Sequence, residues 1–199
     1  ASDAGWNRRL SGPEGIRSSA GLISVSDYPS DLVRTRYLFD GSQVTIRPIR
    51  REDAAMEQEF VKHLSPDSRY KRFMSTLQEL PPGKLRYLTE IDYVRHLALV
   101  AVVQREGQDL EIGVARYVAN PSGNSCEFAV AIDDAWQGSG VAGILMLALI
   151  DAAKTRGMAT MEGFILASND KMLKFARQLG FRLHRDADDP GMFHAERPL

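Results

Sequence analysis

The chain has 199 residues, 44% hydrophobic and 26% charged, enough for one sizeable core under a solvated surface. Its 25 basic and 26 acidic residues leave a net charge of −1, which argues against a nucleic-acid or anionic-membrane partner. One cysteine excludes an internal disulfide and fits a reducing cytosol, no N-terminal run is apolar enough for a signal peptide or membrane span, and the four histidines show no metal-ligand spacing.

Residues 1–27 are rich in Ser, Gly, Asp and Arg without periodicity and read as tail or linker. The folded domain is expected over 37–199, with 1–36 ahead of it. Residues 44–49 alternate as a strand, and Pro48 suits its end or an edge. Residues 51–64 have helical spacing. Ser65-Pro66-Asp67 reads as an N-cap with Pro at the first helical position, and the next helix carries Tyr70, Phe73, Met74 and Leu77 on one stripe. Arg69, Lys71 and Arg72 lie off that stripe and read as a solvated face. Pro81-Pro82 opens a short helix to Ile91.

Residues 96–104 and 110–118 read as a hairpin, the first strand apolar on both faces and therefore central. After a turn at 120–124, residues 125–132 form another strand. Within it Cys126, Phe128, Val130 and Ile132 face one way, and Glu127, Ala129 and Ala131 the other. A Gly-rich turn, 137–143, then feeds an apolar run, 144–153, stopped by Gly157. Residues 160–166 are a strand. Residues 169–179 are a helix capped by Asn169 and ended by Gly180, and 181–184 and 193–196 are final strand pieces.

The strand, turn and helix around residue 140 carry the chemistry. The first N–H groups of a helix lack partners within it, and the helix dipole adds positive charge there. Glycines let those groups converge on an anion, best a phosphate. Gly138, Gly140 and Gly143 also fit G-x-G-x-x-G, but the strand ends five residues early for a dinucleotide fold, and no G-K-[ST] of a P-loop occurs. From the residues alone, a phosphate site and a tight turn feeding a buried helix both stand.

Gln137-Gly138-Ser139-Gly140-Val141-Ala142 also fits Q/R-x-x-G-x-G/A, and there the sequence resembles the GNAT acyltransferases. Residues 28–32 (YPSDL), 40–54, 64–73, 126–130 (CEFAV), 136–140 (WQGSG) and 178–181 (QLGF) resemble one branch, the bacterial Pat-type protein lysine acetyltransferases. The resemblance spans 28–184 and implies an α/β GNAT fold: a mixed, mostly antiparallel sheet that splits around acetyl-CoA. It implies an acetyl-CoA site formed by Val130, Ala131 and Ile132, by Gln137, Gly138, Ser139, Gly140, Val141, Ala142 and Gly143, and by Asn169. No metal is implied. The acceptor implied is a protein lysine, with an AMP-forming acyl-CoA synthetase as the foremost target.

In larger relatives the YP segment follows a synthetase-like domain, so the chain is expected to be a short form or a piece of a longer protein.

An unperturbed lysine amine has a pKa of about 10.4, so freeing it near pH 7 costs roughly 4–5 kcal/mol. Glu127, among small side chains just before the turn, could take that proton if partly desolvated. On the residues alone it reads rather as a side chain that meets solvent or a neighbouring strand; the resemblance reverses this and implies the general base. Ser139 stands where many family members have Arg or Lys, and Ala176 where many have a Tyr that protonates the departing thiolate. Cys126 lacks a histidine partner in the pattern and reads as core. Two rivals remain: a small-amine acetyltransferase, and a non-catalytic acyl-CoA sensor.

Overall fold

A strand apolar on both faces must lie inside a sheet covered on both sides. The computed structural model, which describes residues 28–199, puts residues 97–103 there, all buried. Around them the described residues form β1 (Arg34–Tyr37), β2 (Gln43–Pro48), α1 (Ala54–His63), α2 (Pro66–Phe73), α3 (Pro82–Thr89), β3 (His96–Arg105) and β4 (Gln108–Ala119). Then come β5 (Ser125–Ile132), α4 (Val141–Thr155), β6 (Thr160–Leu166), α5 (Asp170–Gln178), β7 (Arg182–Arg185) and β8 (Met192–Pro198). The expectation for residues 1–27 lies outside the described residues. The sheet begins at Arg34, three residues ahead of the expected start, because β1 pairs with β2 from Arg34↔Ile46 onward.

The sheet order is β1-β2-β3-β4-β5-β6-β8-β7. All neighbours are antiparallel except β5 and β6, whose parallel register covers only Ser125↔Thr160 to Glu127↔Glu162. Past that point β5 continues along β4 to Ile132, and β6 continues along β8 to Leu166, so the two strands part. This is the mixed, mostly antiparallel, split sheet that the GNAT resemblance implies. Phe128 occupies the parting point. Its ring lies against Gly163, where a Cβ would come within 2.6 Å of the ring edge, and packs on Phe181 at 4.9 Å between centroids.

The helices take opposite faces by strand parity. Gly113 of β4 faces Leu145 of α4. Arg116, of the other parity, reaches Glu57 of α1 and the Leu88 carbonyl of α3. Val118 shares the face of Arg116 and is registered with Glu127, which puts Glu127 on the α1–α3 side. Cys126 faces the core, fully buried, and burial pushes its thiol up to about 12, so it is an inert core residue.

Two helical expectations shift. The helix over α2 stops at Phe73 because Met74 adopts a left-handed backbone (φ 52°), so Leu77 falls outside it. The turn before α4 is shorter than expected: Gly140 is the N-cap, and Val141, Ala142 and Gly143 already form the first helical turn. Gly157 (φ 79°) ends α4 as expected.

Gly163→Ala should cost about 1–3 kcal/mol, because the added methyl meets the buried Phe128 ring. Urea unfolding of the variant beside wild type checks this.

Candidate active site

The parting of β5 and β6 opens a cleft of about 670 Å³. One wall is 128–132 of β5, the other is Phe164, Ile165 and Leu166 of β6, and Met172 and Phe175 of α5 close one side. Among the described residues no strand lies beside this edge of β5 beyond Glu127, so its N–H and C=O groups face the cleft. At one end stands the glycine turn.

The turn is built by local hydrogen bonds. Asp133 accepts from the Ala135 N–H (2.9 Å), and the Ser139 hydroxyl donates to the Trp136 carbonyl (2.7 Å). Gly138 (φ 82°) and Gly140 (φ 94°) hold backbone angles that other residues rarely adopt. They bring the chain round so that the first N–H groups of α4 open on the cleft. Space matters at Gly140 as well: a Cβ there would lie 3.0 Å from the Phe39 ring.

Asp134 ties the turn to α2. It accepts from the Ser65 N–H (2.9 Å), the Ser65 hydroxyl (2.9 Å) and the Ser68 hydroxyl (2.8 Å). Burial pushes its carboxyl up, but these hydrogen bonds outweigh that and hold it below the ordinary value. Ser65 meanwhile caps α2 by accepting from the Ser68 N–H (3.2 Å).

Of the expected cofactor residues, Val130, Ala131, Ile132, Gln137, Gly138, Gly140, Ala142, Gly143 and Asn169 line the cleft. Val141 is instead buried at the start of α4, and the Ser139 hydroxyl is turned back into its own turn. Asn169 does cap α5, accepting from the Met172 N–H (3.2 Å), and lines the cleft as well. Ala176 is buried, so no phenol enters the cleft from that position.

Glu127 lies just below the cleft wall, 2% exposed, with Ala129 and Ala131 following it along the wall. The surrounding α1–α3 face is a buried ionic network. Arg116 donates to Glu57 Oε1 (3.0 Å), to the Leu88 carbonyl (3.0 Å) and toward His96 Nε2 (3.3 Å). Burial, then the charges of Arg116 and Arg72, hold His96 well below its usual range, so its ring is neutral and Nε2 accepts.

Tyr87 packs on His96 at 5.1 Å between ring centroids. Burial raises its phenol, with Arg116 lowering it and the Glu127 carboxylate raising it further.

Arg72 corrects the expectation of a solvated face: it is 6% exposed and lines the cleft. Burial lowers its pKa to about 9, with Arg116 lowering it too and Glu57 and Glu127 acting in the opposite sense. It therefore stays protonated at neutrality and places a buried positive charge at the cleft, within electrostatic reach of Glu127. An arginine in the run RYKRF reads as surface; its position immediately before buried Phe73 is the one local sign of its placement.

A chain with a split sheet, a helix start open on the split and a buried carboxylate below it fits a family of group transferases. The acetyltransferase (GNAT) domain model matches residues 43–182, and the chain belongs to the GNAT acetyltransferase family. It is 41% identical over 152 residues to acetyltransferase PA5475 of Pseudomonas aeruginosa, covering 76% of this chain and 82% of that protein. It is 29% identical over 141 residues to acetyltransferase Pat of Mycolicibacterium smegmatis, covering 70% of this chain but 41% of that longer protein. The crystal structure of the GNAT domain of S. lividans PAT superposes with a TM-score of 0.79 at 27% identity, covering 87% of this chain and 100% of that one.

The network makes a pH prediction. Glu111 is raised well above its ordinary value by burial first and by Glu57 next, so it is protonated in the folded protein. The unfolded chain loses that proton above pH ~4.5 while the folded protein keeps it, so this group's stabilisation falls as pH rises from there toward the folded pKa. Glu111→Gln should flatten the slope of Tm against pH in that window and leave Tm at pH 7 unchanged or higher. Glu57→Gln removes the carboxylate from buried Arg116 and should cost about 3–5 kcal/mol. Differential scanning calorimetry of both variants across pH checks the pair.

Proposed function

We propose that the chain transfers an acetyl group from acetyl-CoA to the side-chain amine of a protein lysine, with Glu127 as general base. The observation that carries this reading is one cleft with the glycine turn at the start of α4 at one end, and with Glu127 buried next to the lining residue Phe128, where β5 and β6 part. The likeness to proteins named Pat, and the resemblance to the branch that acetylates protein lysines, support the protein acceptor. An AMP-forming acyl-CoA synthetase is the first target to test.

In this reading the pyrophosphate of acetyl-CoA meets Gly138, Gly140 and the first N–H groups of α4. The pantetheine arm runs between the strand edges, past Asn169, and the thioester comes to the parting point. Glu127 takes a proton from the lysine ammonium, through a water because the carboxylate is buried. The amine nitrogen then bonds to the thioester carbon, and N–H groups on the open edge of β5 hold the oxyanion. As the C–S bond breaks, the sulfur keeps the electron pair and is protonated by the attacking nitrogen or by water, since Ala176 supplies no acid.

The acids lining the cleft are already engaged. Asp67 pairs with Lys71 at 2.6 Å and Asp134 with Ser65 and Ser68, which weighs against a site built to gather free amines.

The test incubates an AMP-forming acetyl-CoA synthetase with acetyl-CoA and either wild type or Glu127→Gln, followed by intact-mass analysis. Wild type should add one acetyl group. Glu127→Gln should lower the rate about 10²–10⁴-fold with acetyl-CoA binding retained. Equal rates would remove Glu127 as the base, and acetyl-CoA binding without transfer to any acceptor would favour the sensor.

A further inference from the structure

Phe39 is the most exposed large apolar side chain among the described residues, 88% exposed, yet it is not on a loose loop. It sits in the tight β1–β2 turn, where the Leu38 N–H donates to the Ser42 carbonyl (2.9 Å), the Gly41 N–H to the Leu38 carbonyl (3.0 Å) and the Ser42 N–H to Asp40 (2.9 Å). Its own N–H donates to the Ser139 carbonyl (3.3 Å), which fastens this turn to the glycine turn 100 residues along the chain. Its ring rests against Gly140, where even a methyl would come within 3.0 Å, and it lines the mouth of the cleft.

An aromatic ring on a hydrogen-bonded turn, open to solvent and against the N-cap of α4, suits a ligand with a phosphate and a flat base joined by a short link. We infer that Phe39 is a stacking platform for the adenine of the acyl-CoA donor, and so the residue by which the site selects the nucleotide end of its substrate. The inference rests on the donor reading above. A pyrophosphate at Gly140 has two arms. One is the pantetheine, which follows the apolar walls inward; the other is the adenosine, which leaves at the mouth, where Phe39 stands. Stacking needs only the π-face of the base, which an exposed phenyl ring supplies. Covering the ring with adenine also removes from water an apolar surface that the free protein leaves exposed.

The test measures binding by calorimetry of CoA, of 3′,5′-ADP (the nucleotide end alone) and of 4′-phosphopantetheine (the other arm) to wild type, Phe39→Ala and Phe39→Trp. Phe39→Ala should weaken CoA and 3′,5′-ADP roughly ten-fold or more, leave 4′-phosphopantetheine within about two-fold, and be rescued by Phe39→Trp. The ring is exposed, so the alanine variant keeps its fold, and its circular dichroism and Tm should match wild type. Equal weakening of all three ligands would make Phe39 only a clamp on the glycine turn and overturn the inference, as would unchanged CoA binding. If wild type binds none of the three, the donor reading itself falls. If it binds CoA with no dependence on Phe39, only the stacking assignment falls.

Discussion

One backbone constraint governs this molecule: β5 must hydrogen-bond to β4 on one edge and to β6 on the other, and it keeps the second bond for only three residues. Each of the two strands keeps its outer partner to the end, so neither frays where they part. The result is an opening with rigid walls whose exposed edge is peptide groups rather than mobile side chains. Peptide groups that have lost a strand partner within a sheet are costly unless something else bonds to them. The split is thus an incomplete sheet that an extended ligand arm can complete, the same physics as strand addition at a sheet edge. Phe128 and Gly163 mark where the parting begins, because a ring lying over a glycine fills the place that a further pair of side chains would occupy.

The two ends of the opening are held by different forces. The glycine turn is held by local hydrogen bonds and by Asp134, which draws α2 onto it and so brings Arg72 to the cleft. The other end is held by charges taken out of water. Glu57, Arg72, His96, Glu111, Arg116 and Glu127 are all buried on one face of the sheet. Such a group is stable only if charges balance and protons are placed to match. His96 is neutral, Glu111 carries its proton, and Arg116 pairs with Glu57. Burial of this kind sets a field around Glu127 that packing alone would not. It also makes that face intolerant of single substitutions, whereas the glycine turn depends on backbone angle and close approach.

The strongest local signals gave the elements. Residues 97–103 read as a central strand on their two apolar faces, and the alternation in SCEFAVAI alone puts Glu127 on the face opposite Cys126 and Phe128. Helix starts were legible at Ser65 and Asn169, whose side chains do cap. The start of α4 is not legible locally, because alanine and glycine at 142–143 read as turn whereas Gly140 is the residue with positive φ that caps the helix. Arg72 read as surface because a cation in a polar run is usually solvated, and its counter-charges lie 15 residues back and 55 residues ahead in the sequence. Phe39 carried no signal beyond an aromatic residue in a turn.

The sequence by itself therefore determined the strand–glycine turn–helix unit, the side of the strand that bears Glu127 and the likeness to a family, because each depends on neighbours within a few residues or on a motif. Only the tertiary structure decided where β5 and β6 separate, that Arg72 is buried at the cleft and that Phe39 rests on Gly140. Those are contacts between segments far apart in the chain. They follow from which strand lies beside which and from charges that must be balanced once buried, and neither is encoded in any short stretch of residues.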